Sequence, residues 1–386
     1  MNRISNAKDT RALREQHVCG AHRVVIKVGT NILTSTDRPI DTHRIAALAD
    51  EIAWLTEQGV EVALVSSGSI GAGRAELKMK NRPRTLPYLQ ATASVGQGKL
   101  IAEYDNHLRT HDLHAAQILL TRADFDSRDR YLNASNTIRA LFSLSCVPVI
   151  NENDTISTDE IKFGDNDYLA AFVTHLIRAD LLILLTSVPG LYDGKPVEGE
   201  PPAVHSVVEE VNDKVQELAY AEQTEDGMGG MRSKLDAVRI ATEAGEAAVI
   251  ADGRQEGIIG RIIAGEDVGT LFLPASDRLS SYKRWIRFTS RPRGSVTVDE
   301  GARNAVKNRG KSLLPSGITD VEGKFKHGDV IRLKGPDGRE FARGLSNYSS
   351  DEVSQIKGLH SNEINGVLGY KYYDEIVHRD NLAISD

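Results

Sequence analysis

Six short apolar runs, each nearly continuous, alternate with longer stretches of helical spacing through the first two thirds of this chain, and no other feature limits its fold as tightly. The runs cover residues 24–28, 60–65, 115–120, 147–150, 181–185 and 247–250. Runs of four to six apolar residues read as strands buried on both faces. Between them, residues 41–58, 130–144 and 231–244 carry helical periodicity, with Asp41 placed as an N-cap and Gly59 as a stop. Strands of that kind separated by helices predict an α/β domain, a mostly parallel sheet sandwiched by helices. After about residue 275 the pattern changes. Short alternating runs at 295–298, 329–333 and 340–342 follow closely spaced turns, Pro336-Asp337-Gly338 the plainest of them. The predicted organisation is a polar tail over 1–22, an α/β domain over 23–276 and a small β-rich domain over 285–382, in keeping with 386 residues.

The two cysteines, Cys19 and Cys146, are too few for a disulfide framework and form no CxxC pair, which favours a reducing compartment. The polar segment 1–20 lacks the apolar core of a secretion signal. The longest apolar stretch, 181–185, falls far short of the ~20 residues that cross a bilayer, so a cytoplasmic protein without a membrane segment is expected. Net charge is −7, but residues 283–350 hold fifteen Lys/Arg against seven Asp/Glu. The C-terminal domain therefore carries a basic patch, and residues 351–386 turn acidic again.

Ligands of open α/β sheets bind beyond the carboxyl ends of the strands, which directs attention to the residues there. The first run ends Val25-Ile26-Lys27-Val28-Gly29-Thr30-Asn31, with a lysine inside apolar sequence. A buried strand tolerates an ammonium only with a partner; an edge-strand lysine reaching water is the plainer alternative. The second run leads into Ser66-Ser67-Gly68-Ser69-Ile70-Gly71-Ala72-Gly73. Backbone amides there, with a helix dipole behind them, suit an anion; small residues chosen for close packing would look the same. Asn151-Glu152-Asn153-Asp154 and Gly164-Asp165-Asn166-Asp167 concentrate carboxylates and amides that repel one another unless an ammonium, a lysine or a metal answers them. A solvated Asx turn accounts for the second of these alone, and much less well for the first. Finally, Gly227-Met228-Gly229-Gly230-Met231-Arg232-Ser233-Lys234 opens a helix with glycines and a lysine, apparatus that holds polyphosphate, although it is not a Walker A loop. His111 and His114 have metal-ligand spacing without further ligands nearby, and surface histidines are the simpler reading.

In this order, the segments resemble the glutamate 5-kinases of the amino acid kinase superfamily, many of which end in a PUA domain. The resemblance runs from about Arg23 onward and implies an amino acid kinase fold followed by a PUA module. It implies transfer of the ATP γ-phosphoryl group to the γ-carboxylate of L-glutamate, the first step of proline biosynthesis. By position, it implies that Lys27 and Lys234 flank the migrating group and that Asp167 orients them. Ser67, Asp154 and Asn166 would hold glutamate, with Asn151 nearby. Lys27, Gly29, Thr186, Ser187 and Met228, Gly229, Gly230, Met231, Arg232, Ser233 and Lys234 would line the ATP site. Ser187 stands where an aspartate is common, and Met228 where a threonine is. Mg2+ would ride on phosphate oxygens and water, with no dedicated protein ligands. The resemblance also implies a homo-oligomer and proline as feedback inhibitor. PUA modules elsewhere bind RNA, yet the charge excess here is modest, and a regulatory or structural role is favoured. Two rivals remain: a kinase of the same family acting on aspartate, acetylglutamate, carbamate or UMP, and an RNA-binding protein with an inert kinase fold. The asparagine and aspartate segments weigh against the first, and the pair of lysines against the second.

Overall fold

The structure, a computed structural model, describes residues 7–33, 40–157, 166–194, 202–219, 230–275, 283, 286–287 and 291–385. The chain divides into two compact units, Met1–Arg278 and Leu279–Asp386. In the first, the strands are β1 Arg23–Val28, β2 Glu61–Ser66, β3 His114–Leu120, β4 Cys146–Glu152, β5 Leu181–Thr186, β6 Val207–Val208, β7 Ala247–Asp252 and β8 Thr270–Phe272. The helices used below are α1 Ala7–His17, α2 Thr30–Leu33, α3 Thr42–Glu57, α4 Ser69–Glu76 and α5 Leu86–Leu108. They are followed by α6 Arg122–Asp126, α7 Arg128–Ser143, α8 Asn166–Ile177, α9 Asp213–Leu218, α10 Met231–Glu243 and α11 Ile258–Ile263.

Among the described residues these strands form one eight-stranded sheet in the order β3-β4-β2-β1-β5-β7-β8-β6. Its pairs from β3 to β7 are parallel, and β8 returns antiparallel to β7. All six apolar runs became strands of this sheet. Two further short strands, β6 and β8, are too brief to show a period. Asp41 caps α3, its carboxylate accepting from the Arg44 backbone N–H, and Gly59 follows the helix at φ +81°. From β1 the chain turns toward β2, whereas from β5 it turns toward β7 on the opposite side. The gap between β1 and β5 is thus a topological switch point, where connections leave in opposite directions and open a crevice.

Successive side chains of a strand face opposite ways. Val24, Ile26 and Val28 enter the core shared with α3, α5 and α11. Val25 and Lys27 must therefore face the other side, where α8 lies. Helix α8 is buried from Leu169 to Ile177, mostly apolar but with Thr174 and His175 enclosed near its end, His175 2.9 Å from Glu246. Its polar first turn meets Lys27 through Asp167.

The N-terminal segment departs from the expectation of a tail. Residues 7–17 form α1, and Arg14 is fully buried. Its guanidinium donates to the carbonyls of Ser206, Val268 and Gly269 at 3.0 Å each and pairs with Asp267 at 3.1 Å. Burial lowers its pKa and Asp267 opposes that. Composition marked the segment as polar, but the buried Arg14 held by three carbonyls docks it together with buried Thr10 and Val18 and with Leu13 against the core.

The second unit holds a five-stranded sheet in the order β10-β9-β11-β12-β13, from β9 Gly294–Val298, β10 Ile318–Gly323, β11 Val330–Lys334, β12 Glu340–Leu345 and β13 Leu382–Ile384. Val296, Leu333, Phe341, Tyr348 and Ile376 centre its core. The Pro336-Asp337-Gly338 turn joins β11 to β12, with Gly338 at φ +73°. Part of the basic excess is paired, Lys334 with Glu322 at 2.6 Å and Arg343 with Glu340 at 2.7 Å.

Candidate active site

Three charged side chains meet in the interior where β1, α8 and α10 converge. Lys27 Nζ lies 2.7 Å from Asp167 Oδ1, and Lys234 Nζ lies 3.1 Å from Asp167 Oδ2. Relative exposures are 3%, 0% and 5% for Lys27, Asp167 and Lys234. One carboxylate thus bridges two ammonium groups in a dry setting. Burial alone would raise the Asp167 pKa; the two lysines outweigh it and hold the carboxyl at about 2. The alternative of an edge-strand lysine fails, since β1 is central and Lys27 has a buried counterion. Ser233 adds a hydroxyl to Asp167 Oδ2 at 3.2 Å and another contact to the Gly230 carbonyl at 2.9 Å.

Beside this triad lies a neutral polar cluster. Asn166 Nδ2 donates to Ser67 Oγ at 2.9 Å, Asn151 Oδ1 at 2.9 Å and the Ser66 carbonyl at 3.1 Å. Register makes this possible: Val28 pairs with Ser66 across β1 and β2, so Gly29 and Ser67 emerge side by side at the sheet's carboxyl edge. Gly68 follows at φ +103°, a left-handed turn that glycine enters without a Cβ penalty, and starts α4. Ser69 Oγ reaches Asp154 Oδ2 at 3.4 Å. The glycines of this loop divide their roles. A Cβ on Gly73 would fall 1.8 Å from the Thr92 carbonyl, and one on Gly96 1.8 Å from the Ser69 carbonyl. Gly73 therefore serves the close packing of α4 on α5, the simpler of the two readings for that residue.

The third group lies across the switch point. Thr186 ends β5 in register with Asp252 at the end of β7. Arg254 donates to both oxygens of Asp252 at 2.9 Å and to the Ser187 carbonyl at 2.6 Å. Gly230 caps α10, Met231 turns its side chain into the core, and Arg232 faces solvent. Only the backbone of Met231 is available to a ligand. Met228 and Gly229 lie outside the described residues. A Cβ on Gly29 would meet Lys27 Nζ at 3.6 Å, an ordinary contact.

The geometry assembles, from four separated segments, a cationic triad, a hydroxyl and amide cluster with an adjacent carboxylate, and the amino end of a 13-residue helix. Residues 22–252 match the amino acid kinase family, and residues 294–368 match the PUA domain. A glutamate 5-kinase of Citrifermentans bemidjiense is 45% identical over 372 residues, covering 96% of this chain and 100% of that protein. The chain belongs to the amino acid kinase family. Other relatives of the same description are those of Caldanaerobacter subterraneus subsp. tengcongensis, 47% identical over 94% of this chain and 97% of that one, and of Trichlorobacter lovleyi, 46% identical over 94% and 96%.

Other side chains beside the candidate site were not named from the sequence. Asp252 and Arg254 escaped because a charge pair at the end of β7 looks like any exposed ion pair. Buried Tyr104, whose hydroxyl lies 3.1 Å from Ser66 Oγ, and Gln97, discussed below, both sit on α5. No motif marks that helix, but its polar positions 90, 94 and 97 share one face, a spacing legible in advance. No helix is long and apolar enough to cross a membrane among the described residues.

Proposed function

We propose that this chain transfers the γ-phosphoryl group of ATP to the γ-carboxylate of L-glutamate, forming L-glutamyl 5-phosphate, the first step of proline biosynthesis. The observation that carries this reading is the buried Lys27–Asp167–Lys234 triad at the switch point, flanked by the Ser67, Asn166 and Asn151 cluster. A carboxylate is already a nucleophile at neutral pH, so the site needs no general base. What remains is to align two anions that repel each other and to neutralise the transferring group. Two ammonium groups held on a shared carboxylate can do this, since the transferring phosphoryl group brings negative charge to where they are fixed. Asp167 holds both ammonium groups at a fixed separation.

On this reading Asp154 receives the α-ammonium of glutamate, while Ser67 and Asn166 meet its carboxylates. Thr186, Ser187 and the start of α10 take the nucleotide. Among the described residues no group of three or more His, Cys, Asp or Glu side chains converges. Magnesium would travel with the ATP phosphates, held through phosphate oxygens and water as such ions usually are in phosphoryl-transfer sites. The reading carries with it a cytoplasmic reaction, a homo-oligomer and a glutamate site open to proline as inhibitor.

The deciding experiment measures ADP release with glutamate, aspartate, acetylglutamate or UMP as acceptor, together with hydroxylamine trapping of an acyl phosphate. Glutamate-dependent ADP and hydroxamate are expected. ADP release indifferent to glutamate would overturn the proposal. Asp154→Ala is expected to raise the glutamate KM by roughly tenfold to a hundredfold, the loss of one charged hydrogen bond, with little change in the ATP KM. Equal rises in both would remove Asp154 from the acceptor site.

A further inference from the structure

Asn151 Oδ1 receives two donors, the Glu152 backbone N–H at 2.9 Å and Asn166 Nδ2 at 2.9 Å. The other end of that amide must therefore be its NH2. This NH2 donates to Gln97 Oε1 at 2.8 Å, which in turn fixes the direction of the Gln97 amide. Gln97 is only 6% exposed, and its Nε2 has no hydrogen-bond partner among the described residues. Leaving a buried donor unpaired costs about 1 to 3 kcal/mol, so packing is a poor reason to place an amide here.

Gln97 also belongs to a stripe on α5. One turn or two before it, Ser94 Oγ lies 3.0 Å from Thr155 Oγ1, and Gln90 Nε2 donates to the Ser157 carbonyl at 3.0 Å. One face of α5 thus grips the segment carrying Asn151 and Asp154 at three points. Helix α5 is itself locked to α4 through Gly73 and Gly96, and α4 presents Ser69 to Asp154.

We infer that Gln97 is a positioning residue for the acceptor substrate, setting the direction of the Asn151 amide and, through it, that of Asn166 and the Ser67 hydroxyl. Ser67 Oγ accepts from Asn166 Nδ2, which leaves the hydroxyl hydrogen to donate elsewhere. A carboxylate oxygen is the acceptor that the proposed reaction brings. Were Asn151 and Asn166 to turn over, Asn166 would offer an oxygen to Ser67, and that hydrogen would be consumed inside the protein. Gln97 is one of the restraints against this, and the inference rests on the glutamate reading above.

The test is Gln97→Met, which keeps length and loses the acceptor. A rise of about tenfold in the glutamate KM is expected, the equivalent of one neutral hydrogen bond, with the ATP KM within about twofold and thermal stability retained. In an Asn166→Ala background the same change should add less than about threefold, because the two act through one network. A glutamate KM unchanged by Gln97→Met, a parallel rise in both KM values, or a full tenfold effect on top of Asn166→Ala would each overturn the inference. Should Gln97→Met fail to fold, Gln97→Glu keeps an acceptor for Asn151 and removes the unpaired donors. It is expected within about threefold of the unaltered enzyme, as its hydrogen bond survives, and a tenfold rise overturns the inference. If the unaltered enzyme ignores glutamate, both readings fall; if it requires glutamate and Gln97→Met changes nothing, only the role of Gln97 does.

Discussion

Lys234→Ala is expected to lower kcat by about two to three orders of magnitude while the glutamate KM stays within a few-fold, because the lost group stabilises charge that develops in transfer. Lys234 Nζ is buried against Asp167 Oδ2, opposite the oxygen that holds Lys27. The hydrogen bonds of the Ser67, Asn151 and Asn166 cluster run among these residues and to Ser66, Gln97 and Glu152, apart from the Lys234 ion pair with Asp167. Binding of the acceptor and the chemical step should therefore separate. The fold should survive, since Asp167 and Lys27 remain as a neutral pair. Steady-state ADP release checks this: a kcat reduced less than tenfold, or a loss confined to the glutamate KM, would take Lys234 out of the phosphoryl site.

Asp167→Asn is expected to destabilise the first unit by about 3 to 5 kcal/mol, the usual consequence of stripping a buried ion cluster of one partner. Two ammonium groups would be left in the interior with no carboxylate between them. The midpoint of urea unfolding and the Tm of thermal unfolding measure the loss. ATP should raise the Tm of the variant more than that of the unaltered enzyme, since its phosphates replace the missing negative charge. A variant as stable as the original, with no greater ATP effect, would show that the lysines do not depend on Asp167. The same carboxyl predicts an acid limb. Its folded pKa, about 2, lies below the ordinary 3.8, so its contribution is complete above pH 3.8 and is lost as pH falls through about 2. The gap corresponds to about 2 kcal/mol, and Asp167→Asn should abolish that limb.

Much of this was legible in the residues themselves. Lys27 within an apolar run pointed to a counterion unless the strand lay at an edge, and the crowding of amides and carboxylates at 151–154 and 164–167 pointed to a partner, though a solvated turn could account for the second. Asp41 and Gly59 marked a helix by local hydrogen bonding, which needs no tertiary knowledge. Other features were silent. Arg14 reads as one more charge in a polar segment, and nothing local says that it will be buried under three carbonyls. Gly73 and Gly68 look alike in sequence, yet one permits helix contact and the other a left-handed turn. Gln97 lies in a helix, and its partner Asn151, near the end of β4, comes 54 residues later.

Periodicity, capping residues and charge among apolar neighbours are local properties, and they determined the α/β class, the longer strands of the first sheet and the identity of the lysines, amides and carboxylates of the candidate site, while the short strands β6, β8 and β13 and the strand β10 stayed hidden. Tertiary structure decided which of these meet. Strand order put β1 beside β5, pleat parity turned Lys27 toward α8, and the register of β1 on β2 set Ser67 beside Gly29. A hydrogen-bond network such as Gln97–Asn151–Asn166–Ser67 has a direction only once its members are in contact, because each amide is oriented by its neighbours rather than by its own sequence.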